Sequence, residues 1–219
     1  MANSINVAVV GATGAVGEAM IGILEQRSFP VGCLFPLASE RSAGSTINFK
    51  GKSIQVKRLD EFDFSTIDVG LFSAGGSVSA VFAPKAVSSG CVVVDNTSYF
   101  RNDPEIPLVV PEVNAHAIDG HDGIIANPNC STIQMVVALK PIYDAVGISR
   151  INIATYQAVS GAGKRAIAEL GQQSIELLNG RPVSPTIMPK QIAFNVLPEI
   201  DSFQDNGYTR EERDDGKKP

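Results

Sequence analysis

The fold is decided by the stretch Ile5-Asn-Val-Ala-Val-Val-Gly-Ala-Thr-Gly-Ala-Val-Gly17. Its first six residues are almost continuously apolar and rich in β-branched side chains, which is typical of a parallel strand buried on both faces. Three glycines follow at a spacing of three, and apolar residues then recur at helical spacing from Ala15 to Leu24. The stretch therefore predicts a strand, a glycine-rich turn and a helix.

A glycine-rich turn between a strand and a helix is a common site for a dinucleotide. Glycines allow the backbone to approach the pyrophosphate, and the helix N-terminus attracts its charge. The spacing Gly-x-x-Gly-x-x-Gly differs from the commoner Gly-x-Gly-x-x-Gly, and a tight turn without a ligand would have the same pattern. The flanking strand and helix favour dinucleotide binding. The residues expected to contact the cofactor are Gly11, Thr13, Gly14, Ala15, Val16 and Gly17.

Strands and helices continue to alternate up to residue 126. Apolar runs predict strands at 33–38, 68–73, 91–94 and 123–126, a helix at 78–88, and a β-hairpin made of 46–49 and 53–56. This alternation implies right-handed crossovers and an α/β fold of the Rossmann type. In such a doubly wound parallel sheet the ligand lies at the carboxyl ends of the strands.

The end of the second predicted strand, Ala38-Ser-Glu-Arg-Ser42, bears on the choice between NAD and NADP. An NAD site usually has an acid there for the ribose 2′-hydroxyl, whereas an NADP site uses an arginine for the 2′-phosphate. Ser39, Arg41 and Ser42 offer two hydroxyls and a guanidinium, which suit a phosphate. Glu40 is the contrary signal, and Arg41 could also be an ordinary surface arginine. We expect NADP.

A second polar turn, Asn127-Pro-Asn-Cys-Ser-Thr132, lies between a short apolar run and a long one. This pattern predicts a strand, a turn and a helix, with Cys130 at or near the helix N-terminus. Unpaired backbone N–H groups and the helix dipole favour a nucleophilic thiolate there. Free cysteines are usually core residues, which is our interpretation of Cys33 and Cys91. The polar neighbours of Cys130 favour a nucleophile instead.

Composition and charge exclude several functions. The net charge is −5 with no basic block before the tail, which argues against nucleic-acid binding. Neither a signal peptide nor an apolar stretch of membrane-spanning length is visible, so we expect a cytoplasmic protein without a membrane partner. Three scattered cysteines do not indicate disulfides, and no Cys/His cluster has the spacing of metal ligands.

After Cys130 the pattern changes. We expect a strand at 151–158, a helix at 164–178, a proline-rich loop at 180–189, a further strand at 191–197, and a disordered polar tail.

These segments together resemble the bacterial type of aspartate-semialdehyde dehydrogenase. The resemblance covers residues 5 to about 212, and it is most specific around Cys130 and from Gln157 to Gly163. Related acetyl-glutamyl-phosphate reductases share the fold and stay an alternative. The matching motifs are Gly11-Ala-Thr-Gly-Ala-Val-Gly17, Ser39-Glu-Arg-Ser42, Phe72-Ser-Ala-Gly-Gly76, Asp95-Asn-Thr-Ser98, Val109-Val-Pro-Glu-Val-Asn114, Asn127-Pro-Asn-Cys-Ser-Thr132 and Tyr156-Gln-Ala-Val-Ser-Gly-Ala-Gly163.

The resemblance implies reductive dephosphorylation of L-aspartyl-4-phosphate by NADPH, a step in lysine, methionine and threonine biosynthesis. Cys130 would attack the acyl phosphate and form a thioester, which hydride then reduces. Backbone N–H groups near Asn129 and Cys130 would stabilise the oxyanion. By resemblance, Gln157 orients the substrate and Arg101 binds its phosphoryl group or the released phosphate. Asn129 also belongs to the substrate site, and Ser160 and Gly161 lie near the nicotinamide.

The resemblance also implies the domain organisation. Residues 1–127 would bind NADP, residues 128–209 would begin an α+β catalytic and dimerisation domain, and residues 210–219 form an atypical tail. A homodimer is expected. By resemblance, the family's acid–base histidine and carboxylate-binding arginine belong to a later part of the second domain than this sequence covers. His116 and His121 precede Cys130, and neither matches that histidine. We therefore expect a C-terminally truncated enzyme, with a non-catalytic fragment that binds NADP or a partner subunit as the alternative.

Overall fold

The computed structural model describes residues 4–209, which divide into two compact units between Ser149 and Arg150. The first unit contains all eight strands of the described chain: β1 (Ile5–Val10), β2 (Val31–Ala38), β3 (Thr46–Phe49), β4 (Lys52–Gln55), β5 (Lys57–Arg58), β6 (Val69–Phe72), β7 (Val92–Asp95) and β8 (Ile124–Ala126). β3 and β4 form the expected antiparallel hairpin. The other six form one parallel sheet in the order β5-β2-β1-β6-β7-β8. The order reverses between β1 and β6, which is where open α/β sheets bind ligands.

Helices lie between the strands and after β8, and they include the three helices that the sequence predicts in this part of the chain. They are α1 (Ala15–Gln26), α2 (Gly76–Ser88), α3 (Pro111–Asn114) and α4 (Cys130–Val146), with short 3-10 helices at Glu40–Ser42 and Ala115–Gly120. α1, α2 and α4 begin within five residues of the carboxyl ends of β1, β6 and β8. Because these strands are parallel, three helix N-termini lie along one edge of the sheet.

The core explains why β1 is apolar at nearly every position. Val7 and Val9 pack into one buried cluster together with Ile21 of α1. Ala8 and Val10 point to the other face, into a second cluster that contains Phe72 and the buried alanines of α2. Successive side chains of a strand alternate between faces, so both faces of β1 are buried, as predicted.

The two cysteines assigned to the core have different outcomes. Cys91 is buried, as expected, but Cys33 is exposed and its core assignment is wrong. The β1–β2 register shifts between Ile5 and Val7, and none of the first three residues of β2 is buried. The backbone N–H of Cys33 donates instead to the side-chain oxygen of Asn6. The apolar run of β2 is therefore longer than the segment of it that packs into the core.

The second unit contains the 3-10 helix Val159–Ala162 and α5 (Lys164–Leu178), and α5 matches the predicted helix. The strands expected at 151–158 and 191–197 are not formed, so both predictions are wrong. No neighbouring strand among residues 150–209 pairs with the first run, where Tyr156 is 93% exposed. In the second run the amides of Ile192 and Ala193 donate to the side chain of Gln173, which prevents a strand ladder.

The domain boundary after residue 127 stays a prediction. The division between Ser149 and Arg150 leaves α4 in the first unit, with the sheet whose edge it follows. The tail predicted at 210–219 lies outside the described residues.

Candidate active site

The glycine turn after β1 is held tightly in place by its neighbours. The N–H groups of Gly11 and Ala12 donate to the carbonyl of Leu37, at 2.9 and 3.1 Å, at the end of β2. Gly11 has φ +88°, and a Cβ there would lie 3.0 Å from the nitrogen of Ala74. A Cβ on Gly17 would lie 2.2 Å from the Gly11 carbonyl oxygen. Glycine is therefore required at both positions, as in dinucleotide-binding turns.

The N-terminus of α1 is suited to an anion. Gly14 is its N-cap and has no side chain with which to bond the first N–H groups of the helix. Gly14 is exposed, as is Val16 at 43%. Thr13 and Ala15 are partly exposed in the same turn. Uncapped N–H groups at a helix start bind phosphate well, so these residues fit the pyrophosphate of a dinucleotide.

The segment after β2 contains the three residues that the sequence analysis expects to bind a 2′-phosphate. Ser39 precedes the 3-10 helix Glu40–Ser42, and Ser39 and Arg41 are exposed while Ser42 is half-buried. Glu40, the residue that argues against NADP, pairs with Arg58. The Nη1 atom of Arg58 lies 3.3 Å from a carboxyl oxygen of Glu40. Arg58 also contacts Asp60 at 2.6 Å, and this hydrogen bond lowers the pKa of Asp60. Glu40 is thus directed towards Arg58.

The structure places Cys130 at the first residue of α4, as the sequence predicts, and its side chain is exposed. Asn129 is the N-cap and is nearly buried, with 8% exposure. Its side-chain oxygen accepts hydrogen bonds from the Ser131 backbone N–H at 3.0 Å and the Ser131 hydroxyl at 2.8 Å. This capping fixes the first turn of the helix around Cys130. The N-terminal position favours a reactive thiol, because the helix dipole stabilises negative charge there.

Arg101 lies against the backbone that leads to Cys130. Its Nε donates to the Asn127 carbonyl at 2.9 Å, and its Nη2 donates to the Asn96 carbonyl at 3.0 Å. The side-chain amide of Asn127 donates to that of Asn96 at 2.6 Å. The sequence prediction included Arg101 but missed this pair of asparagines. Their position in the sequence could have indicated a place in the site, since each directly follows a parallel strand.

Gln157, Ser160 and Gly161 belong to the second unit, and all three are exposed. The side-chain oxygen of Gln157 accepts a hydrogen bond from the Thr155 hydroxyl at 3.0 Å. Ser160 and Gly161 lie in the 3-10 helix Val159–Ala162. Their roles in binding substrate and nicotinamide stay predictions.

Residues 4–209 contain no group of three or more His, Cys, Asp or Glu side chains that could hold a metal ion. Across the same residues, every helix is too short or too polar to cross a bilayer.

The switch-point glycine turn and the cysteine at the start of α4 define a dinucleotide-binding protein with a candidate thiol nucleophile. The family model "Semialdehyde dehydrogenase, NAD binding domain" matches residues 6–121, and "Semialdehyde dehydrogenase, dimerisation domain" matches residues 139–218. The chain belongs to the aspartate-semialdehyde dehydrogenase family.

Individual relatives agree with this assignment. The aspartate-semialdehyde dehydrogenase of Legionella pneumophila is 64% identical over 214 residues, which cover 97% of this chain and 62% of that protein. The Vibrio mimicus enzyme is 59% identical, with 68% of its length covered. A crystal structure of aspartate semialdehyde dehydrogenase II from Vibrio cholerae has a TM-score of 0.95 at 60% identity. It is covered over 64% of its length, so this chain spans a little under two thirds of most of these relatives.

Proposed function

We propose that this chain carries the cofactor site and the nucleophile of an enzyme that converts L-aspartyl-4-phosphate into L-aspartate 4-semialdehyde and phosphate, with NADPH as reductant. The position of Cys130 carries the proposal, because it starts a helix at the same sheet edge as the glycine turn. The relatives support the substrate class, since one Vibrio cholerae structure is described as complexed with ASA.

The chain's own residues have defined roles in this reaction. Cys130 attacks the acyl carbon, phosphate leaves, and a thioester forms on its sulfur. The N-terminus of α4, capped by Asn129, stabilises the oxyanion that develops beside it. Arg101 provides positive charge beside the same turn for the phosphoryl group. When bound, NADPH supplies the hydride that reduces the thioester to the aldehyde.

NADP is the proposed cofactor because of the residues after β2. Ser39, Arg41 and Ser42 offer two hydroxyls and a guanidinium for the 2′-phosphate, while the carboxylate of Glu40 pairs with Arg58. A Candida albicans aspartate semialdehyde dehydrogenase, 28% identical with a TM-score of 0.58, was solved with NADP. The glycine turn supports a bound pyrophosphate, since Gly14 caps α1 without a side chain that would bond the first N–H groups of the helix.

The proposed partners are small molecules and a second copy of the chain. The match to a dimerisation domain from residue 139 supports a homodimer. We further propose a cytoplasmic enzyme of lysine, methionine and threonine biosynthesis, in keeping with the family.

The activity is tested in the reverse direction, with aspartate semialdehyde, phosphate and NADP, by following NADPH absorbance. Turnover that Cys130→Ala abolishes and Cys33→Ala leaves unchanged would support the proposed function. Turnover with acetylglutamate semialdehyde in place of aspartate semialdehyde would instead identify a related acyl-phosphate reductase. Retained NADP binding without turnover would show that the chain alone is a non-catalytic fragment.

Cofactor choice is tested by calorimetric titration with NADP and NAD. Arg41→Ala is expected to weaken NADP binding by about tenfold, since a charge-assisted hydrogen bond to the phosphate is lost. NAD binding should change little, because NAD lacks that phosphate. Arg27→Ala, which removes an exposed arginine at the far end of α1, is the matched control. Equal NADP affinities for the Arg41→Ala and Arg27→Ala variants would contradict this account.

A further inference from the structure

Asp95 is a buried acid that the proposed chemistry does not use. It ends β7 and has 0% exposure, at a position where a core strand would normally carry an apolar residue. A carboxyl group is costly to bury unless its oxygens are bonded. Its Oδ1 accepts from the Ser79 hydroxyl of α2 at 2.8 Å and from the Thr97 N–H at 3.1 Å. Its Oδ2 accepts from the Thr97 hydroxyl at 2.8 Å.

These bonds fix the first residues of the turn that follows β7. Ser79 is itself 0% exposed, so the carboxyl group ties this turn to the buried face of α2. Asn96, between Asp95 and Thr97, is held from the other side, because its N–H donates to the Phe72 carbonyl at 2.9 Å. The turn after β7 is thus anchored to β6 and to α2 at its start.

The same turn holds the approach to Cys130. Asn127 donates its N–H to the Asp95 carbonyl at 2.8 Å and its side-chain amide to Asn96 at 2.6 Å. Arg101 joins the Asn96 and Asn127 carbonyls with two N–H groups of one guanidinium. The side chains of Asn96, Arg101 and Asn127 therefore connect the carboxyl ends of β7 and β8. Asn127 lies three residues before Cys130.

We infer that Asp95 is a positioning residue for Cys130, acting through Asn96, Arg101 and Asn127. This inference rests on the proposed role of Cys130 as the nucleophile. Asp95 holds the turn that places the Arg101 guanidinium and the Asn127 backbone, and these set the start of α4. Rigid support of this kind determines how well a reactive group is placed. Loss of the support leaves the fold intact but loosens the nucleophile's turn.

The three cysteines allow a test that does not depend on turnover. Alkylation of the full chain is followed cysteine by cysteine with peptide mass spectrometry, using neutral iodoacetamide and anionic iodoacetate. Cys33 is exposed and serves as the internal reference, while Cys91 is buried and reports unfolding. The measured quantities are the Cys130 rate relative to Cys33, and the ratio of iodoacetate to iodoacetamide rates at Cys130.

Asp95→Asn replaces one acceptor oxygen by an NH2 group, which is itself a donor and faces hydroxyl and N–H donors. The relative rate of Cys130 is expected to fall about three- to tenfold, because small displacements of a reacting group have large rate effects. The ratio of iodoacetate to iodoacetamide rates at Cys130 should also fall, because the positive charge of Arg101 is displaced. Removal of a negative charge would by itself raise the rate with an anionic reagent, so a decrease identifies positioning.

Thr97→Val removes one hydroxyl donor without a charge change and should lower the Cys130 rate in the same direction. Thr97→Ser keeps the hydroxyl and should behave like the wild type. Ile21→Ala, in the cluster on the other face of the sheet, controls for general loss of stability and should leave the relative rate unchanged.

The outcomes separate the inference from the proposed function. Wild-type rates in both Asp95→Asn and Thr97→Val, or an equal decrease in Ile21→Ala, would overturn the positioning role. A wild-type Cys130 that reacts no faster than Cys33 would overturn the nucleophile assignment, and the inference with it.

Discussion

At the scale of single residues, the three cysteines show how position sets the chemistry of one side chain. Burial is the main cause that raises the pKa of Cys91, to about 11, with a further contribution from the negative charge of Asp68. Cys33 lies exposed within a strand, β2. Cys130 is also exposed, but it starts a helix of 17 residues. Exposure alone therefore does not separate Cys33 from Cys130, whereas the helix terminus does.

Alkylation at neutral pH should therefore follow the order Cys130, then Cys33, then Cys91. The thiolate of Cys91 is almost unpopulated at that pH, and its sulfur is shielded, so it should react only when the chain unfolds. Modification of each cysteine is measured over time with and without urea. Rapid labelling of Cys91 in the folded chain would contradict the buried site, and Cys91→Ala identifies its peptide.

Arg58 provides a second prediction at this scale, about cofactor choice. Arg58 holds Glu40, Asp60 and Glu61, so Arg58→Gln releases three carboxylates beside the proposed 2′-phosphate site. NADP affinity should fall about two- to fivefold, a modest effect because Glu40 is exposed and screened. NAD affinity should stay the same or rise.

The double variant Glu40→Gln/Arg58→Gln tests the cause by calorimetric titration. It should recover part of the lost NADP affinity, since one of the released charges is gone. An unchanged NADP affinity in Arg58→Gln would show that the Glu40 pairing does not influence the choice.

At the scale of elements, the start of α1 depends on close backbone contact. Gly17→Ala would place a methyl group 2.2 Å from the Gly11 oxygen, so turn and helix must separate. We expect a loss of about 1–3 kcal/mol in unfolding free energy and NADP binding weakened by at least about tenfold.

Gly22 is the matched control on the same helix, because a Cβ there meets nothing within 4 Å. Gly22→Ala should stabilise the chain by about 0.5–1 kcal/mol and leave NADP binding unchanged. Thermal unfolding and titration of both variants check this pair. Similar behaviour of the two would show that close packing at Gly17 is not required.

The sequence predicts elements well where their own side chains decide the structure. The β1 strand, the glycine turn and α5 are visible because apolar spacing and turn residues are local signals. The strands expected at 151–158 and 191–197 are wrong because a strand also needs a partner ladder, which local spacing does not reveal. The site divides in the same way. Cys130 and its cap are local, whereas the Asp95 network joins residues more than 30 positions apart.

At the scale of the whole molecule, the two units are stabilised in different ways. The first has two buried apolar clusters on either side of a sheet. The second relies on buried polar side chains of α5, where Glu169 and Gln173 are one helical turn apart and bonded to each other at 2.8 Å. Gln173 binds the amides of Ile192 and Ala193, while Glu169 binds those of Thr186 and Ile187. Much of the order of residues 186–193 therefore depends on two side chains.

The second unit should accordingly be the acid-sensitive one. Burial raises the pKa of Glu169, but the N–H groups of Thr186 and Ile187 and the Thr186 hydroxyl outweigh it and lower the pKa below 4.5. A lowered folded pKa means that Glu169 stabilises the unit fully above 4.5 and loses this contribution as pH falls through the folded value. The amides of Thr186 and Ile187 should then lose hydrogen-exchange protection before those of β1.

Glu169→Gln should show the same loss of protection at neutral pH, because an amide offers one acceptor oxygen where donors of Gln173, Thr186 and Ile187 converge. Glu176→Gln, on the same helix, removes a carboxylate that bonds the Gln172 side chain and is the matched control. Protection factors are taken relative to intrinsic exchange rates, which removes the direct effect of pH on the chemistry. If wild type and Glu169→Gln keep equal protection at Thr186 from neutral pH to below 4.5, the carboxylate does not hold this loop.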